Sequence, residues 1–148
     1  MRIIALYGHG QCGKSTTLNI LKELLRSAGK SVSSKPHPWC EAPETFEYKG
    51  LVVCVAPGGD DEPRILANIS YFNVRHCDVA ITASRCKGRG VGALVNYANS
   101  LDTKVEWIQK SYEHILSNTT QVLCNHETAN ILLGMICKQP ILTYCRKK

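Results

Sequence analysis

The run Ile3-Ile4-Ala5-Leu6-Tyr7-Gly8-His9-Gly10-Gln11-Cys12-Gly13-Lys14-Ser15 decides how the rest of the chain is read. Its first five residues are apolar or aromatic, the signature of a strand buried on both faces. Gly8 to Ser15 then satisfy GxxxxGK[S/T], after which Leu18, Leu21, Leu24, Leu25 and Ala28 recur at helical spacing as far as Gly29, a C-terminal capping residue. Strand, glycine-rich loop and a helix over about Lys14–Ala28 follow in order, the context in which such a loop cradles phosphate. Gly8, Gly10 and Gly13 let the backbone turn its N–H groups inward, and the helix adds the positive end of its dipole. Lys14 brings a point charge to the β- and γ-phosphates, the Ser15 hydroxyl suits Mg²⁺, and Thr16 supplements contacts to the α-phosphate. His9 faces phosphate or solvent, and Gln11 fills a loop position. Cys12, beside a helix N-terminus, is either an activated thiol or a tolerated filler.

Downstream, Lys30 to Pro43 holds three prolines, several serines and Trp39, a long connection that is either a lid or a plain crossover. Glu44–Tyr48, the turn Lys49-Gly50 and Leu51–Val55 read as an antiparallel hairpin whose second, more apolar strand lies deep in the sheet. A helix follows over Asp60 to about Val74, through Ile65, Leu66, Ile69 and Phe72. Then come a strand at Asp78–Ala83, a helix at Gly90–Asn99 and a strand at Thr103–Ile108. The last helix spans about Thr119–Lys138, led by the capping pair Asn118 and Gln121. This order predicts an α/β protein, a three-layer α/β/α fold with a mostly parallel sheet and one antiparallel hairpin. Its ligands belong beyond the carboxyl ends of the strands, after Tyr7, Val55, Ala83 and Ile108.

A chain of 148 residues fits one domain, 1–148, with a sizeable core. The eight cysteines include no CxxC pair, and no charged segment leads into a signal-like apolar stretch, so they read as reduced thiols in a cytoplasmic protein. His37 with Cys40, His76 with Cys77, and Cys124 with His126 lack zinc-type spacing. No apolar segment reaches the roughly 20 residues that span a bilayer, so no membrane partner is expected. The net charge of +6 is spread along the chain, with small concentrations at Arg85, Lys87, Arg89 and at Arg146, Lys147, Lys148. No basic stripe interleaves with aromatics, which disfavours nucleic acid and leaves nucleotide phosphates as the better match.

A carboxylate on the Mg²⁺ side must come from one of four aspartates. Asp78 and Asp102 fall at strand beginnings, the wrong end of the sheet, whereas Asp60 and Asp61 follow a strand by the turn Pro57-Gly58-Gly59. One of these two supports the metal or caps the helix that begins there, and both roles can coexist. Arg85, leaving a strand's carboxyl end, either stabilises charge on a transferred phosphoryl group, holds an anionic acceptor, stacks on a base, or belongs to a solvated basic loop. Trp39 and His37 cover a base or acceptor, or Trp39 pins its loop to the core. Glu41, Glu44 and Glu47 are the weakest candidates, as general bases.

The eight residues Gly8 to Ser15 resemble the Walker A motif of the P-loop NTPase superfamily. The hairpin resembles the switch region of small GTPases, with their DxxG falling on Ala56, Pro57, Gly58 and Gly59, of which only Gly59 is retained. Where those proteins carry NKxD to read guanine, this chain has Thr82, Ala83, Ser84 and Arg85, so the resemblance implies ATP before GTP. It implies Mg-dependent binding of ATP or another nucleoside triphosphate with slow hydrolysis. Gly8 to Thr16 would hold the nucleotide, Ser15 and Asp60 the metal, and Lys14, Asp60 or Asp61, and Arg85 would act in catalysis. Two alternatives stay open: a kinase whose nucleoside, nucleotide or other small-molecule acceptor is held by Ser31 to Glu44 and Arg85 to Gly90, and a non-catalytic nucleotide sensor or partner-binding module.

Overall fold

Alternate residues of a strand face opposite sides of its sheet, so a strand apolar at every position must be covered twice. The computed structural model, which describes residues 1–8, 13–32, 42–110 and 118–138 with side chains from Cys124 onward in the last stretch, realises this arrangement. The elements are β1 (Arg2–Tyr7), α1 (Lys14–Ala28), β2 (Lys30–Ser31), β3 (Glu44–Tyr48), β4 (Leu51–Ala56), α2 (Glu62–Arg75), β5 (Val79–Ser84), α3 (Arg89–Ser100), β6 (Val105–Gln109) and α4 (Asn118–Ile136). Ile4, Leu6, Val53, Val55 and Ile81 pack with Leu18, Leu21 and Leu25 of α1 and with Ala129, Leu132 and Ile136 of α4. Ile3, Ala5, Ala56, Ala80 and Trp107 pack on the other face with Ile65 and Phe72 of α2 and with Val91 and Leu94 of α3. Helices therefore cover both faces of one sheet.

The strand order is β2-β3-β4-β5-β1-β6. β1 lies parallel to both β5 and β6, and β4 lies parallel to β5, which places β4 inside the sheet as its apolar sequence requires. The hairpin β3–β4 turns at Lys49 (φ 50°) and Gly50 (φ 79°), two left-handed residues whose twist suits a two-residue connection. The sheet is mixed rather than carrying one antiparallel pairing, because Lys30 and Ser31 form a sixth strand opposite Glu47 and Phe46. Two residues are too few to leave a period in the sequence. α2 begins at Glu62 instead of Asp60 because Asp61 serves as its N-cap, accepting from the Arg64 amide at 3.0 Å.

Cys54 of β4 and Cys77, just ahead of β5, form a disulfide with their Cα atoms 6.2 Å apart. This corrects the expectation that every cysteine is a free thiol. The 23-residue separation has no local signature, and only the pairing of β4 with β5 brings the two together. Among the described residues Cys86, Cys124 and Cys137 are free.

Two ionic clusters pin the edges of the sheet. Glu44 accepts from Arg26 Nη2 at 2.6 Å and from Ser31 Oγ at 2.6 Å, with the buried Lys22 ammonium 3.5 Å away. So engaged, Glu44 tethers α1 and β2 to β3 and is no free general base. Glu47 lies exposed on the same strand, and Glu41, His37 and Trp39 lie outside the described residues, as do Arg146 to Lys148. At the opposite end, Arg2 grips Glu106 through two nitrogens at 2.9 Å and donates to the carbonyls of Met135 and Ile136 at 3.0 and 2.8 Å. It thereby ties β1 and β6 to the last turn of α4, whose carbonyls have no partner within the helix. Among the described residues, no helix is long and apolar enough to cross a membrane.

Candidate nucleotide site

β1, β4, β5 and β6 end on the same edge of the sheet. The chain leaves β1 and β6 for the face that carries α1 and α4, and leaves β4 and β5 for the face that carries α2 and α3. The crevice where this choice reverses lies between β1 and β5, the position at which open α/β sheets take ligands. Gly8 follows β1 into that crevice.

Of the phosphate-loop candidates, His9, Gly10, Gln11 and Cys12 lie outside the described residues, and the two ends of the loop carry the geometry. Gly13 has φ +94°, a left-handed conformation that a side chain strains, and it starts α1 with no side-chain cap and no acid in the first turn. No side chain of Gly13 can occupy the first amides of α1. Lys14 is buried, and its ammonium reaches back to the Gly8 carbonyl at 2.8 Å, bridging the two ends of the loop. Ser15 and Thr16 are partly exposed beside it.

Two residues that the sequence did not single out complete this wall. Asn125 of α4 is buried, accepts from Thr17 Oγ1 at 3.3 Å, and lays its amide so close to Gly13 that a Cβ there would meet Oδ1 at 2.6 Å. Lys110 follows β6, donates its backbone amide to the Tyr7 carbonyl at 2.7 Å, and is only 6% exposed. Its side chain has no hydrogen bond or ion pair among the described residues. Both were hidden because neither belongs to a motif; only the α1–α4 and β1–β6 contacts bring them to the loop.

The turn after β4 closes the other side. Its carbonyls are held by two donors, Ser15 Oγ on Pro57 at 3.2 Å and the buried Asn68 Nδ2 on Gly58 at 2.6 Å, while Asn68 also reaches Thr82 Oγ1 at 3.1 Å. Gly59 presses its backbone on the end of β5, so that a Cβ at this position would fall on the Ala83 carbonyl. Asp61 is committed to the α2 cap. Asp60 is half exposed, with a carboxylate oxygen 4.0 Å from Arg64. Arg85 leaves β5 exposed to solvent and, with Asp60 and Asp61, lines a cavity of about 410 Å³ between the starts of α2 and α3. The structure therefore joins Asp60, Asp61 and Arg85 in one depression and Lys14, Ser15 and Gly13 in the neighbouring crevice, with Pro57-Gly58-Gly59 as the partition.

The donors fit Mg²⁺ in a limited sense. Because the Ser15 proton is directed at Pro57, the hydroxyl oxygen keeps its lone pairs for a hard cation, which takes the rest of its shell from phosphate and water. Among the described residues no group of three or more His, Cys, Asp or Glu side chains could hold a metal unaided.

No family model matches the chain, and no curated protein or solved structure matches it either.

Proposed function

We propose that this chain binds a Mg²⁺-complexed nucleoside triphosphate, ATP before GTP, at Gly8 to Thr16 and hydrolyses it slowly. The observation that carries the reading is the start of α1: a helix N-terminus without a side-chain cap in the β1–β5 crevice, flanked by the buried Lys14 and by a serine whose hydroxyl proton is already directed elsewhere. Bound magnesium would withdraw charge from the β- and γ-phosphates. Lys14, released from Gly8, would neutralise the same oxygens, and the α1 amides would orient them. Asp60 would support the metal through water. Asp61, held in its cap, serves the helix.

The test is calorimetric titration of the whole chain with Mg-ATP and Mg-GTP beside Lys14→Ala, followed by phosphate release from the same samples. Saturable binding lost in Lys14→Ala, with phosphate released in the absence of any acceptor, supports the hydrolase. Absence of binding by the intact protein sinks the reading. A second reading, phosphoryl transfer to a small acceptor, is favoured by one observation, the charged cavity on the far side of the Pro57-Gly58-Gly59 turn. Binding without phosphate release directs the assay to acceptors.

A further inference from the structure

The depression between α2 and α3 has the size of a small-molecule site, about 410 Å³. Its two walls differ in charge. One is Asp60, Asp61, Glu62 and Pro63, and the other is Arg85, Lys87, Arg89, Gly90 and Val91. On the acidic wall Asp61 already caps α2 and Asp60 faces Arg64, so Glu62 alone keeps an unengaged carboxylate among the described residues. On the basic wall none of the three cations has a side-chain ion pair or hydrogen bond among the described residues. All three are exposed on one wall of one cavity, where an anion that enters would meet them together.

The helix that rises from this wall strengthens the case. α3 starts at Gly88 with no side-chain cap and no acid in its first turn, so its first amides add partial positive charge to that of Arg85, Lys87 and Arg89. α2, starting a few ångströms away, has the opposite provision of a cap and an acidic first turn. The contrast lies within one cavity, so general surface charge does not explain it.

We propose that this cavity is a second anion site, separate from the phosphate loop, for a small molecule with a phosphate or carboxylate at one end and hydrogen-bond donors at the other. The anionic end lies on Arg85, Lys87, Arg89 and the α3 amides. The cavity exceeds a bare phosphate, and Glu62 faces the remainder, which therefore carries hydroxyl or ammonium groups. Its anion-holding residues Arg85, Lys87 and Arg89 lie outside Gly8–Thr16, so the site stands apart from the nucleotide reading even though Asp60, proposed to support the metal, lines the same cavity.

The experiment follows backbone amide resonances of the ¹⁵N-labelled full chain on titration with inorganic phosphate, and separately with malonate, at ionic strength held constant with NaCl. The expected result is saturable shifts at Gly88, Arg89, Gly90 and Val91, equal in the wild type and in Lys14→Ala, and weakened at least about tenfold in Arg85→Gln/Arg89→Gln. All the substituted cavity residues are exposed, and Lys87→Gln gives a second, milder variant that should weaken the same shifts. Tighter phosphate marks a phosphorylated ligand, and tighter malonate a carboxylate. Shifts that fail to saturate, that NaCl alone reproduces, that persist unweakened in the cavity variants, or that fall only near Gly8–Thr16 and vanish in Lys14→Ala would overturn the proposal. The last result would leave the nucleotide site standing, whereas shifts at α3 without Mg-ATP binding would leave this one standing alone.

Discussion

At the scale of single residues, two glycines and one lysine hold the site in different ways. A methyl group at Gly59 would collide with the Ala83 backbone, which cannot swing aside as a side chain can. Gly59→Ala should cost about 3 kcal/mol or more in a denaturant melt. It should also pull Pro57 off Ser15, so that Mg-ATP binds more weakly even where the fold survives. Gly13→Ala meets two obstacles, the left-handed φ of +94° and Asn125, but Asn125 is a side chain and can yield. The expected loss is nearer to about 1–2 kcal/mol, read in the same melt. Lys110 makes a further test, because it is only 6% exposed and follows the strand paired with β1 at the loop's start. Lys110→Met should leave the protein about as stable as the wild type, since its side chain loses no hydrogen bond or ion pair among the described residues. It should weaken Mg-ATP about tenfold or more in calorimetry. A loss of stability with unchanged binding would remove Lys110 from the site.

At the scale of elements, the three helices that begin on the ligand edge with described first turns differ in their starts. α1 and α3 open on glycine, without a cap, whereas α2 opens on Asp61 with Glu62 behind it. Asp61→Ala should therefore cost about 1 kcal/mol of stability and leave phosphate release nearly unchanged. Asp60→Asn should do the reverse, lowering release while leaving the melting curve in place. Equal effects of the two substitutions on release would make the acid assignment wrong. Arg2 is the matching device at the other end of the sheet. Removing it leaves Glu106 partly buried without its guanidinium and takes a donor from the Met135 and Ile136 carbonyls, of which Met135 keeps the Lys138 amide, so Arg2→Ala should cost about 3 kcal/mol. The α1 boundaries and the β3–β4 hairpin were legible in the sequence because both depend on neighbours close along the chain. β2 was not, because its two residues become a strand only when β3 lies alongside.

At the scale of the molecule, the position of the site follows from the direction in which the chain leaves each strand. β5, inserted between β4 and β1, sends its helix to one face while β1 sends its own to the other, and the phosphate-loop residues stand at that divide. The glycine–lysine–serine spacing, the apolar strands, and the placement of Asp60 and Arg85 after strand ends could all be read from the chain, since each is a local pattern of residue type and period. The sequence by itself thus determined an α/β protein with a glycine-rich loop between its first strand and first helix. Only the tertiary structure decided that Asn125 packs against Gly13, that Ser15 meets a carbonyl in place of a carboxylate, that Cys54 and Cys77 are bonded, and that Arg85 shares a cavity with Asp60. Those relations join residues far apart along the chain. Their proximity depends on strand order and helix packing, which are set by the burial of both sheet faces at once and leave no mark at any single position.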